Sequence, residues 1–108
     1  MAIPAAALKL VKEGSGSGAI PATSGGGSSE FQRVTIAHNQ NTDVLLFRAL
    51  VVIPGYPVYS NYFVVPFAVS GLFATPSIDA TNLYIEIGQS GAGLPAQGFQ
   101  YYYRILVP

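Results

Sequence analysis

The residues able to do chemistry are few and scattered. His38 is the only histidine, with Asp43 close behind it in a polar run, so no pair of histidines exists to hold a metal. Any nucleophilic triad would have to be built on that one ring. Its setting, His38-Asn39-Gln40-Asn41-Thr42-Asp43, reads as a turn, where a histidine is solvated or caps. Asp79 and Glu86 stand apart, without the spacing of an acid–base pair. Gly91-Ala92-Gly93-Leu94-Pro95-Ala96 fits a relaxed dinucleotide-binding pattern. That pattern needs a helix after its glycines, whereas Pro95 and Gly98 lead into a tyrosine-rich strand, so a hairpin loop is expected. Tyr101-Tyr102-Tyr103-Arg104 could stack bases, but no basic groove accompanies it. Tyr56, Tyr59 and Tyr62 could offer ring faces to a sugar, making them candidate receptor contacts. Arg48 and Arg104 are expected to pair with Glu86 or Asp43, or to line a subunit contact. No catalytic residue, metal site or cofactor site emerges, and a non-enzymatic role is expected.

The elements that would position these groups are strands. Phe99, Tyr101, Tyr103, Ile105 and Val107 alternate with Gln100, Tyr102, Arg104 and Leu106, which places one wholly apolar face on a final strand. Val34 and Ile36 mark a first strand in Phe31–Ala37. Leu45, Phe47, Ala49, Val51 and Ile53 mark a second, closed by the turn residues Pro54-Gly55-Tyr56-Pro57. Tyr62–Val69 reads as a third, with Phe63, Val65, Phe67 and Val69 inward and Pro66 forcing an edge or a bulge. Ser70–Ala80 reads as a loop with a short extended piece at Leu72–Phe73. Leu83, Ile85 and Ile87 mark a further strand, and Gly88–Gly98 a long connection. The expectation is an all-β fold: a small antiparallel β-sandwich of five to six strands over residues 30–108, with an extended, flexible N-terminal arm.

Residues 1–29 form that arm. Gly14–Ser29 is almost entirely Gly, Ser, Ala, Thr and Pro, a spacer composition. Ala2-Ile3-Pro4-Ala5 recurs as Ala19-Ile20-Pro21-Ala22, so Ile3, Pro4, Leu8, Leu10, Ile20 and Pro21 are the expected anchoring residues, laid along a partner.

Composition limits the partners. Five basic and five acidic residues among 108 cancel, which gives no field to steer nucleic acid or an anionic membrane. Cysteine is absent, and no apolar run reaches the length of a membrane-spanning helix. The opening Met1-Ala2-Ile3-Pro4 lacks the pattern of a signal peptide, so a cytosolic origin or release by another route is expected. Hydrophobic residues make up 50% and charged residues 9%, against a usual charged share of about 25%. Val44, Leu46, Leu50, Val52, Tyr102 and Leu106 oppose faces already apolar, and such excess predicts association with neighbours. Leu46, Leu50, Tyr102 and Leu106 are the expected oligomer interface.

The series Val34-Thr35-Ile36-Ala37-His38-Asn39, Phe47-Arg48-Ala49, Asp79-Ala80-Thr81-Asn82-Leu83-Tyr84-Ile85 and Tyr102-Tyr103-Arg104-Ile105-Leu106 resembles the small β-sandwich domains of bacteriophage structural proteins, found in tail fibres and virion appendages. The resemblance covers residues 31–108. Gln40-Asn41-Thr42-Asp43 departs from the Leu-Gly-Tyr and proline that often follow His-Asn there, so no role carries over to His38. It implies a virion location, a homotrimer, contacts with other virion proteins through residues 1–29, and a host surface glycan as a possible receptor. A capsid or tail decoration (cement) protein is the alternative in the same class, and a carbohydrate-binding module the alternative outside it.

Overall fold

A computed structural model describes residues 8–42, 45–53, 62–69 and 71–108, with residues 62–64, 67 and 69 as backbone. Among the described residues eight strands follow one another: β1 (Lys9–Ile20), β2 (Ser28–Ala37), β3 (Leu46–Val52), β4 (Tyr62–Val64), β5 (Phe67–Val69), β6 (Leu72–Ile78), β7 (Asn82–Gly91) and β8 (Gln97–Val107). They form two four-stranded sheets of order β1-β8-β3-β4 and β2-β7-β6-β5, every neighbouring pair antiparallel. This is the expected antiparallel sandwich, with eight strands among the described residues where five to six were expected.

Alternation fills the interior. Val34 and Ile36 of β2, Ala49 and Val51 of β3, Leu83, Ile85 and Ile87 of β7, and Phe99 and Ile105 of β8 are buried in one cluster between the sheets. Each fully buried aliphatic side chain contributes about 1.5–3 kcal/mol of transfer free energy, so this cluster supplies the main driving force.

Three local expectations are corrected. Tyr62–Val69 is not one strand: the chain switches sheets at the cis Val65-Pro66 bond, with β4 on one side and β5 on the other. Leu72–Ile78 is a strand and not a loop. Its Pro76 lies opposite Ile85 beyond the stretch paired with β5, where no ladder partner asks for its missing N–H. The connection after β7 shrinks to residues 92–96, because β7 runs on to Gly91 and β8 begins at Gln97.

The largest correction concerns Gly14–Ile20. Instead of a loose spacer, it is the body of β1, paired with β8 from Lys9↔Val107 to Ile20↔Gln97. Gly14, Gly16 and Gly18 stand opposite Tyr103, Tyr101 and Phe99. A Cβ at Gly16 would run into the Tyr101 ring, and one at Gly14 would come within 2.7 Å of the Tyr103 hydroxyl. The glycines therefore leave room for rings that lean across them: Tyr101 and Tyr103 stack at 6.3 Å, and Phe99 tilts against Tyr101 at 6.4 Å. Ring-over-glycine pairing restores the packing that glycine lacks. Burial, and secondarily the neighbouring Tyr101, pushes the Tyr103 phenol above its ordinary value. Gly16→Val should accordingly lower stability by about 1–3 kcal/mol through overpacking, read from a urea titration; an unchanged midpoint would mean the ring swings clear without cost.

On one flank the edge strands β1 and β2 are stitched by side chains. Lys12 Nζ donates to the Ala37 carbonyl at 2.7 Å, and the Ala19 N–H donates to Gln32 Oε1 at 2.7 Å. Such cross-links occupy strand edges that would otherwise accept foreign strands.

Candidate functional site

The strongest chemical candidate resolves into architecture. His38 is buried, not solvated, at 4% exposure. Its Nε2 donates to the Asp79 carbonyl at 2.9 Å, while Nδ1 accepts the Gln40 N–H at 3.1 Å, which defines a neutral ring with its proton on Nε2. The His38 and Asn39 amides both donate to the Thr81 carbonyl. The ring therefore ties the turn after β2 to the hairpin between β6 and β7.

Asp79 meets His38 through its backbone, because its carboxylate serves the hairpin. Oδ1 accepts the Thr81 and Asn82 N–H groups at 2.9 and 2.7 Å, and Oδ2 accepts the Tyr84 hydroxyl at 2.8 Å. These donors, the two amides first, hold its pKa at about 2. A carboxylate depressed in the folded state stabilises fully above its unfolded value and loses that effect as pH falls through the folded one. Asp79→Asn should thus melt below the parent at pH 7, and the gap should close between about pH 4 and pH 2. A gap that stays constant across that range in thermal melts would contradict the assignment.

Gly91–Ala96 belongs to the β7–β8 connection, with Gly93 at φ 64° and its N–H donating to the Ser24 carbonyl. No helix follows it, so the dinucleotide reading fails in the structure. Tyr101 and Tyr103 face inward, which leaves Tyr102 as the outward member of the tyrosine run. Among the described residues no three His, Asp or Glu side chains converge as a metal site. Tyr56, Tyr59, Ile3, Pro4, Asp43 and the Tyr62 side chain lie outside the described residues.

Of the expected anchoring residues, Ile20 is fully buried in the sandwich, and the Pro21 carbonyl accepts from the buried Gln89 amide at 2.9 Å. Ile20 is thus committed to this chain's own fold, whereas the Pro21 ring is exposed and only its carbonyl is engaged. Leu8 precedes β1 half-buried, and Leu10 lies within β1.

The expected interface residues do come together. On the outer face of the β1-β8-β3-β4 sheet, register aligns side chains in rows across the strands. Leu10, Leu106 and Leu46 form one row; Glu13, Arg104 and Arg48 the next; Ser15, Tyr102 and Leu50 the third. Strands lie about 4.8 Å apart and successive same-face rows about 7 Å apart. Leu10, Leu46 and Tyr102 are 45–46% exposed. The other sheet's outer face is polar by comparison, with Arg33 3.2 Å from Glu86 and 5.4 Å above the Tyr84 ring. Arg33, not Arg48 or Arg104, therefore takes Glu86.

An open groove of about 610 Å³ runs between the charged row and the Tyr102–Leu50 row. Arg48 and Arg104 stand directly opposite each other, an unfavourable placement of like charges. Arg104 Nε pairs with Glu13 Oε2 at 3.2 Å, both side chains more than half exposed, so the bridge is worth little. Two guanidiniums and one carboxylate leave the row with one net positive charge. Leu10, expected as an anchor, and Glu13, for which no role was expected, join this face because β1 pairs with β8. The chain matches no known protein family, no curated protein and no solved structure.

Proposed function

We propose that the chain is a non-enzymatic structural protein of a bacteriophage particle, working as an oligomer, trimeric by the resemblance, in a fibre or other appendage. The observation that carries this reading is the outer face of the β1-β8-β3-β4 sheet. One of its rows is all leucine and a second carries Tyr102 and Leu50 beside Ser15, with Leu10, Leu46 and Tyr102 open to solvent, whereas an antiparallel sandwich ordinarily keeps such a face polar. Patches of this kind mark association surfaces. The elongated outline, 49 × 26 × 25 Å, suits a rod-like appendage. Because Ile20 is buried in the fold, attachment to other virion proteins is placed on the start of the arm, with Ile3 and Pro4 as the grip.

Light scattering on the purified chain tests the association. The parent should show a multiple of the monomer mass. A Leu46→Lys/Leu106→Lys double variant, altered at two outward positions, should run as a folded monomer. Immunogold labelling of purified particles tests the location; a chain found only free in lysate, never on particles, would sink the virion assignment.

A further inference from the structure

With that face taken as the association surface, the order of its charges selects the mate. The middle row runs across the sheet as Glu13 on β1, Arg104 on β8 and Arg48 on β3. Glu13 and Arg104 keep more than half of each side chain exposed in their mutual bridge. Arg48 is exposed and has no ion-pair partner among the described residues. The order minus, plus, plus is not symmetric, so each way of laying a second copy on the face makes different contacts.

Two copies meeting face to face can be related by a twofold axis between the sheets, running either across the strands or along them. An axis across the strands keeps each strand over its own image. Centred on the charged row, it sets Glu13 on Glu13 and each arginine on itself, which is repulsive throughout. An axis along β8 instead reverses the strand order and keeps every row at its own height. β1 of each copy then lies over β3 of the other, so Glu13 meets Arg48 twice. The leucine rows coincide, with Leu10 of each copy over Leu46 of the other and Leu106 over its own image. Arg104 also faces its image, but each keeps its own Glu13 at 3.2 Å, and each carboxylate lies between two guanidiniums. Packed sheets lie about 10 Å apart and cross at about 30°, a gap that glutamate and arginine side chains span together.

We infer that this face binds its own image in a second copy about a twofold axis along β8, through the leucine rows and two Glu13–Arg48 bridges. The contact is isologous and pairs copies two by two, where the resemblance to phage domains implies three.

Analytical ultracentrifugation of the full chain tests this. The parent should sediment as a dimer. Arg48→Glu and Glu13→Arg should each weaken self-association about tenfold or more, since each sets like charges together at both bridges. An equal mixture of the two variants should associate as the parent does, because only the mixed pair forms both bridges. Within one chain Arg48→Glu sets a carboxylate opposite Arg104, so that variant keeps its thermal stability, which separates contact from fold. A trimeric parent, single variants that associate like the parent, or a mixture that stays apart overturns the twofold contact. In any of those cases, monomers from Leu46→Lys/Leu106→Lys leave the association surface standing. A parent chain monomeric at every concentration overturns both.

Discussion

A chain lacking residues 1–20 should fail to fold. Among the described residues β1 is the neighbour of β8 on its outer side, and it supplies Ile20, which is fully buried. Truncating one such aliphatic residue to alanine costs about 2–5 kcal/mol. Removing the strand adds the uncovering of Phe99, Tyr101 and Tyr103 and the loss of the ladder from Lys9 to Ile20. Those losses together match or exceed the about 5–15 kcal/mol by which domains are stable. A scan of the truncated chain should show no cooperative transition and strong binding of a hydrophobic dye, while removal of residues 1–7 alone leaves the melt intact. A cooperative melt of the shorter chain within a few degrees of the parent would show β1 to be an accessory. The same reasoning replaces the expectation of a self-sufficient domain beginning at Glu30.

The second large effect is expected at Gln89, a fully buried amide on β7. Its Nε2 donates to the Pro21 and Pro95 carbonyls, each at 2.9 Å, and its Oε1 accepts from Gln97 Nε2 at 3.0 Å. One side chain thus joins the β1–β2 and β7–β8 connections to the central strand. Leucine is close to glutamine in size, so Gln89→Leu keeps the packing and removes the partners. Orphaning the carbonyls should cost about 2–4 kcal/mol, a fall on the order of 10–25 °C in melting temperature. Gln97→Leu breaks one of the three bonds and should cost about 1 kcal/mol. Equal effects from the two variants would show that Gln89 acts by volume and not by its hydrogen bonds.

Much of the fold was legible where period two coincided with apolar residues. Val34 and Ile36, Leu83 to Ile87, and Phe99 to Ile105 all face the interior as alternation predicts. β1 was hidden because its stability is borrowed: no residue between Gly14 and Gly18 has a side chain to bury, and the rings that cover them are about eighty-five residues away in sequence. A signal was nonetheless present. Gly14-Ser15-Gly16-Ser17-Gly18 repeats glycine at every second position, the period of a strand and not of a random linker. β6 was masked by Thr75, Pro76 and Ser77, residues that read as a turn until edge position excuses the proline. For the site, Leu46, Leu50, Tyr102 and Leu106 could be placed together because both faces of their strands are apolar. The confrontation of Arg48 with Arg104 depends on register alone, which no single strand encodes.

The Lys9–Ile20 segment also bears on assembly during translation. Its ladder partner among the described residues leaves the ribosome last of the described strands, so this stretch waits for that partner while six others are made. Non-local pairing of that kind is slow and leaves nascent chains open to mispairing. A run of glycine and serine is poorly suited to sticking during such a delay, lacking the β-branched and aromatic residues of aggregating segments. The adhesive half of the pair, rich in tyrosine, is made only when its mate is already in place to cover it.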